Sequence, residues 1–288
     1  MTGTALALVI GAAVLHSIWN ALTKRAQDQL AFLWSSVSLA TLLLGPFALW
    51  PLRNQGLPPG AAPFVVATIF LHAFYFFALG RAYRWGEFSL VYPIARGLGV
   101  VLVPLLALPL LDERLSPLGT AGVALVVLGI IALHLTPGVV SAVASPARSV
   151  GAGTGWALLT GLTIAAYSLV DKAGVARLHP LPYITLLGLG SSLVLLPAIL
   201  VQRDALRREW AMNWRAILVA SAMNLTAYLL VLFAFRLSKT GYVVAARELS
   251  IVFSAIIGSL WLGEGRLGPR LLGATVILAG VACVALAR

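Results

Sequence analysis

Apolar residues run along this chain in long, nearly unbroken stretches, and polar residues gather between the stretches instead of alternating within them. Ten stretches are long enough to cross a membrane as helices: 4–22, 31–50, 63–80, 88–111, 117–135, 152–170, 181–201, 216–235, 242–262 and 269–287. A helix needs about 20 apolar residues to span the hydrocarbon core. A transmembrane barrel would instead show segments of about 10 residues with alternating polarity. Turn signals such as Pro58-Pro59-Gly60, Trp85-Gly86 and Thr240-Gly241 separate the stretches. The longest connection, 136–151, is rich in Ser, Ala, Gly and Pro.

The pattern is written twice. Ala95-Arg96 and Glu113 in the first half answer to Ala246-Arg247 and Glu264 in the second, with 17 residues from Arg to Glu in both. Each Glu opens a similar turn, Glu113-Arg114-Leu115-Ser116-Pro117 and Glu264-Gly265-Arg266-Leu267-Gly268-Pro269. The expected division is a first repeat over 1–135, a linker over 136–151 and a second repeat over 152–288. Five spans per repeat is an odd number, so the second copy enters the bilayer inverted. The expected fold is therefore all-α and integral to the membrane, with ten transmembrane helices as two inverted five-helix repeats. Such pairs enclose a binding site near the midplane. Gly122 and Gly129 in span five, and Gly273 and Gly280 in span ten, allow close helix approach, for scaffold or dimer contact.

Composition narrows the class further. The chain is 60% hydrophobic and 10% charged, against about 25% charged for a soluble domain. The net charge of +11 sits mostly at span ends, where it suits anionic lipid headgroups, and no nucleic-acid motif accompanies it. A single cysteine, Cys283, excludes an internal disulfide and a cysteine metal cluster. Residues 4–22 lack a basic leader and a cleavage site, so they read as a retained first span. No phosphate-binding G-x-x-x-x-G-K-[ST] loop occurs, so any transport is gradient-driven or passive. The four histidines are scattered, and no H-E-x-x-H or usable G-x-S-x-G triad is present. No catalytic residue, metal or other cofactor is expected.

Ionisable groups inside a span cost about 2.5–3.5 kcal/mol each on insertion scales, so each needs a reason. Arg96 lies within Tyr92-Pro93-Ile94-Ala95-Arg96-Gly97-Leu98-Gly99, where Pro93 and the glycines predict a broken helix lining a cavity. Arg96 is either a cationic site for a solute or a structural Arg paired inside the bundle. Arg247 and Glu248 form the second case. Neighbours on a helix point about 100° apart, so these two need not pair. Glu248 either pairs with Arg96 across the repeat interface or binds the proton of a coupled carrier. Inversion places Arg96 and Arg247 on opposite sides of the midplane. In span one, His16 and Asn20 share a face beside Trp19, and His16 is a second proton-coupling candidate. His72 in span three, with Phe74-Tyr75-Phe76-Phe77 beside it, and Asn224 and Tyr228 in span eight are candidates for the cavity wall, each set against plain packing. Trp19-Asn20 and Lys24 match Tyr167-Ser168 and Lys172. Both lysines sit at span ends and are expected to snorkel, while His134 and His179 are expected at the interface.

At these residues the chain resembles the drug/metabolite transporter superfamily, in particular EamA-type ten-helix permeases. The resemblance covers nearly the whole chain. It includes His16-Ser17-Ile18-Trp19-Asn20 through Lys24, Ser89 through Gly97, and the acidic-basic turn Asp112-Glu113-Arg114-Leu115. The first half also resembles the four-helix small multidrug resistance proteins. There His16 falls where those exporters keep a coupling glutamate, and Arg96 where they keep a neutral residue. Both departures disfavour cationic-drug export and favour a solute with an anionic group. The resemblance implies a bacterial cytoplasmic membrane with both termini inside, whereas the loop charges mildly favour the ends outside.

The reading that follows is a secondary transporter of a small organic metabolite, anionic or zwitterionic, such as an amino acid or organic acid, working by alternating access. Drug export or lipid-linked flipping on the same fold is the alternative, and a non-transporting membrane scaffold is a third. Partners are the solute and membrane lipid, with a homodimer as an option. The substrate-binding candidates are Arg96, Arg247, Glu248, Tyr92, Asn20, Trp19, Asn224, Tyr228 and His72.

Overall fold

The computed structural model describes residues 1–85, 88–134, 148–260 and 267–287. It is all helix, with no strand among the described residues. The helices are α1 (Gly3–Arg25), α2 (Gln29–Ala48), α3 (Trp50–Gln55), α4 (Ala62–Trp85), α5 (Phe88–Leu111), α6 (Pro117–His134), α7 (Arg148–Val175), α8 (Pro180–Val201), α9 (Arg203–Leu237), α10 (Thr240–Arg247), α11 (Leu249–Leu260) and α12 (Leu267–Leu286). Seven described helices are long and apolar enough to cross a membrane: α1, α2, α4, α5, α7, α8 and α9. Helices α6 and α12 add shorter apolar segments, Pro117–Ala132 and Leu272–Leu286. The expected ninth span is divided into α10 and α11. Leu42, Leu43, Phe47, Leu110, Leu193 and Val201 are exposed on the outside. An apolar exterior of this kind is stable only against lipid tails.

Local sequence explains several helix starts. The Thr2 hydroxyl accepts from Ala5 N–H at 3.2 Å, and the Asp28 carboxylate accepts from Ala31 N–H at 2.8 Å. The side chain of His179 caps α8, where Pro180 needs no backbone donor. Hydroxyls inside the bundle turn back on their own helices: Ser36, Thr160, Thr163, Ser168 and Ser221 each donate to the carbonyl four residues earlier. None of these hydroxyls is thereby left bare in an apolar setting.

The glycines of spans five and ten meet each other. A Cβ on Gly122 would lie 2.7 Å from the Gly280 carbonyl oxygen, and one on Gly129 would lie 2.9 Å from that of Gly273. As one number rises the other falls, so α6 and α12 run antiparallel in backbone contact. Helices α2 and α8 also run antiparallel, through side-chain contacts. Ser38 Oγ donates to Ser192 Oγ at 2.9 Å, and Gly188 packs on Thr41 further along. Other contacts repeat in pairs. Helix α1 packs on α9 as α7 packs on α4, α2 on α9 as α8 on α4, and α5 on α7 as α10 and α11 pack on α1. Exchanging the halves maps these contacts onto one another, which is the geometry of an approximate two-fold axis. Met1 donates through its ammonium group to the Ala285 and Ala287 carbonyls, so both ends lie at one end of the bundle. Val284, near the end of α12, sits against Gly122 near the start of α6, which puts the Glu113 turn at that same end.

Three expectations need correction. The break predicted near Arg96 is absent: α5 is one helix from Phe88 to Leu111. Pro93 is only the sixth residue of α5, so few carbonyls precede it to lose a partner. Gly99 serves packing, since a Cβ there would come within 2.7 Å of Ile164. The break lies in span nine, at Glu248, between α10 and α11. The loop expected before span eight is helical: α9 begins at Arg203 and kinks at Asn213 (φ −120°, ψ 16°). Finally, α7 continues to Val175, beyond the expected end at 170.

Candidate functional site

A narrow cavity lies between the two halves. Helix α1 contributes His16 and Trp19, and α2 contributes Ser36 and Thr41. His72, Tyr75 and Phe76 come from α4, Arg96 from α5, Tyr167 from α7, Asn224 and Tyr228 from α9, and Arg247 from α10. The structure thus brings together Arg96, Arg247, Trp19, His16, His72, Asn224 and Tyr228. The side chain of Tyr92 lies outside the described residues, as do Glu264 and the linker from 136 to 147. Asn20 is not in the cavity wall; its amide donates to the His16 carbonyl at 2.8 Å, within α1.

On one side of the cavity Arg96 and Glu248 form a buried pair across the repeats. Arg96 Nε donates to Glu248 Oε2 at 3.1 Å, and Nη2 lies 2.9 Å from Oε1. Nη2 also reaches Ser250 Oγ at 3.2 Å, and Nη1 reaches His16 Nε2 at 3.5 Å. Forked, two-oxygen pairing suits a planar guanidinium and holds both groups rigidly. The break at Glu248 makes this possible. Glu248 ends α10 as its cap, and its side chain meets Arg96 of α5.

Arg247 is in a different state. It is 5% exposed, and its guanidinium stands 5.8 Å from the ring of Tyr228. Among the described residues it has no hydrogen-bond or ion-pair partner. A buried cation with no hydrogen-bonded counter-ion is costly, and the neighbouring Glu248 acts on it only through space. Two further donors in the wall share this condition: Trp19 Nε1 and Asn224 Nδ2 are buried without an acceptor. The wall therefore presents donors and a positive charge, surrounded by the aromatic faces of Tyr75, Phe76, Tyr167 and Tyr228. Such a site fits a small solute with an acceptor-bearing anionic end and an apolar or planar body.

Next to this wall lies a group absent from the sequence-based candidates. Asp171 of α7 is fully buried. Its Oδ1 accepts from Thr68 Oγ1 at 2.5 Å and from Tyr183 Oη at 2.8 Å. Its Oδ2 accepts from Tyr228 Oη and lies 3.8 Å from His72 Nε2. The expected span six stopped at residue 170, which left Asp171 in a loop. The signal that would have found it is spacing: Tyr167 and Asp171 are four apart on α7, as Thr68 and His72 are on α4.

The end of the bundle that carries the termini is tied together by a second polar set. Glu113 accepts from the Thr240 backbone at 2.6 Å and its hydroxyl at 3.1 Å. Lys172 lies 3.5 Å from Glu113 and donates to the Phe235 and Ser238 carbonyls at 2.5 and 2.8 Å. Lys172 therefore does not snorkel. It closes the C-terminal end of α9, where bare carbonyls attract a cation.

Comparison with known proteins agrees with the fold. One solved crystal structure superposes with a TM-score of 0.69 at 15% sequence identity, covering 99% of this chain and 98% of its own. At that identity the likeness concerns the fold alone. No curated protein matches the chain. Residues 151–286 match the EamA-like transporter family. That match covers the second half, the first half repeats its motifs, and the chain is an integral membrane protein similar to the drug/metabolite transporter superfamily.

Proposed function

We propose that the chain is a secondary transporter that moves a small organic solute with a carboxylate or similar anionic end, by alternating access. The observation that carries this reading is Arg247, a buried guanidinium facing the cavity with no partner among the described residues. The orphan donors of Trp19 and Asn224 add to it. Both invite an acceptor from outside the protein. The approximate two-fold axis supports alternating access, because two equivalent arrangements of the halves then open to opposite faces. The two repeats, 1–135 and 152–288 around the linker 136–151, are the moving units in this reading. Placement in a bacterial cytoplasmic membrane with both ends inside completes the proposal.

The test is counterflow in proteoliposomes with a panel of amino acids, dicarboxylates and aromatic carboxylates. At least one is exchanged by the wild type. Arg247→Gln lowers that exchange by roughly 100-fold, as expected for losing a buried charge-assisted contact, while the protein still elutes as a folded species. Exchange retained in Arg247→Gln, or preference for organic cations, would overturn the reading.

A further inference from the structure

We infer that His72 and Asp171 form a proton-binding pair linked to the solute cavity through Tyr228. This rests on the carrier reading and names what drives it. The argument begins with His72 Nδ1, which lies 3.1 Å from the Thr68 carbonyl oxygen. A carbonyl only accepts, so Nδ1 carries a hydrogen. Thr68 Oγ1 is also near, at 3.0 Å, but its own hydrogen goes to Asp171. In the neutral ring Nε2 then bears a lone pair, and it points at Asp171 Oδ2, 3.8 Å away. Two acceptors face each other with no donor between them. One proton taken from solvent onto Nε2 converts this to an imidazolium beside a carboxylate, and its return to solvent restores the neutral ring. No other bond is made or broken.

The link to the cavity is geometric. Tyr228 Oη donates to the same Oδ2. The Tyr228 ring lies 5.3 Å from the His72 ring and 5.8 Å from the Arg247 guanidinium. One side chain thus links the proton site to the Arg247 guanidinium proposed to hold the solute. An anion on Arg247 offsets its charge, and the pair then accepts a proton at lower electrostatic cost. Solute and proton load together, and the added charges cancel. Other groups facing the pair are Tyr75 on α4, Tyr167 on α7 and Tyr183 on α8. Lys172 turns away to the carbonyls of α9. The two proton candidates read from the sequence are engaged elsewhere: Glu248 holds Arg96 in a forked pair, and His16 Nε2 faces Arg96 Nη1.

The experiment is a pH titration of the full chain in lipid nanodiscs, labelled with 15N-histidine and read by NMR. His72→Gln assigns the His72 signal among the four histidines. At high pH His72 is expected as the Nδ1–H tautomer, gaining an Nε2 proton as pH falls. Asp171→Asn moves that midpoint by about one pH unit or more, and Tyr228→Phe and Arg247→Gln move it by smaller, measurable amounts. If Asp171→Asn fails to fold, Tyr183→Phe and Thr68→Val, which each remove one donor from Asp171, carry the same test. A His72 that does not titrate between pH 4 and 9, or an unchanged midpoint in the carboxylate and donor variants, overturns the proton site. A midpoint unmoved in Arg247→Gln overturns the link to the cavity. None of these measurements uses a solute, so failure of the counterflow panel leaves them standing, and the reverse holds too.

Discussion

At the scale of single residues, the cavity wall is marked by what its groups lack. The Asn224 amide nitrogen is buried without an acceptor. An unmet buried donor costs about 1–3 kcal/mol. Replacing it with an isosteric apolar group removes that cost. Asn224→Leu is therefore expected to leave the thermal midpoint in detergent unchanged or higher, while solute exchange falls several-fold. A drop in stability with exchange intact would show that the amide is structural. Arg96, Arg247 and Glu248 were legible in the sequence because charge inside an apolar run stands out. The partner of Arg96 was one of two options there, since pairing depends on how α5 meets the α10–α11 break. Asp171 was not legible. Beside Lys172 it reads as the polar edge of a span, and hydropathy cannot distinguish an edge in water from an edge inside a bundle. Three hydroxyl donors from three helices satisfy it, and two of them come from distant segments.

At the scale of helices, close approach decides what each position tolerates. Gly129 has no room: an added Cβ would meet Ile277 N at 2.7 Å and the Gly273 oxygen at 2.9 Å. Gly155 has nothing within 4 Å. Gly129→Ala is expected to lower the thermal midpoint through overpacking of about 1–3 kcal/mol. Gly155→Ala is expected to raise it slightly, by about 0.4–1 kcal/mol, by limiting the unfolded chain. Equal midpoints in the two variants would mean that α6 and α12 are not in backbone contact. The glycines of these helices were readable as small contact faces, but not as facing each other, because the repeat says nothing of which copies touch. The break was placed in the wrong span for a related reason. Pro93 and two glycines gave a strong local signal in α5, whereas α10–α11 parts at Glu248 without either residue type next to the break.

At the scale of the molecule, the two-fold arrangement gives the polar tie at the terminus end a counterpart in sequence. Glu113 and Lys172 tie the end that carries the termini; Glu264 and Lys24 hold the corresponding sequence positions, with Glu264 outside the described residues. Glu113→Gln weakens the tie to Lys172 and loosens that end. With Cys283 replaced by Ala and a cysteine placed at cavity-lining Val231, a charged methanethiosulfonate reagent added from the terminus side is expected to react several-fold faster in Glu113→Gln than in its parent. An unchanged rate would mean that this end is sealed by packing alone. The inverted plan was legible from the odd span count and the doubled Arg–Glu spacing. The cavity's extent was not, because it depends on side chains from eight helices that no local pattern relates.

The seam between α6 and α12 has a mechanical consequence. Two rods touching backbone to backbone at Gly122 and Gly280, and again at Gly129 and Gly273, have no long side chains to slide past one another. In the alternating-access cycle proposed above they would serve as a fixed fulcrum. Any swing that exposes Arg247 to one compartment and then the other must turn about that post, so the lever arms are the helices furthest from it.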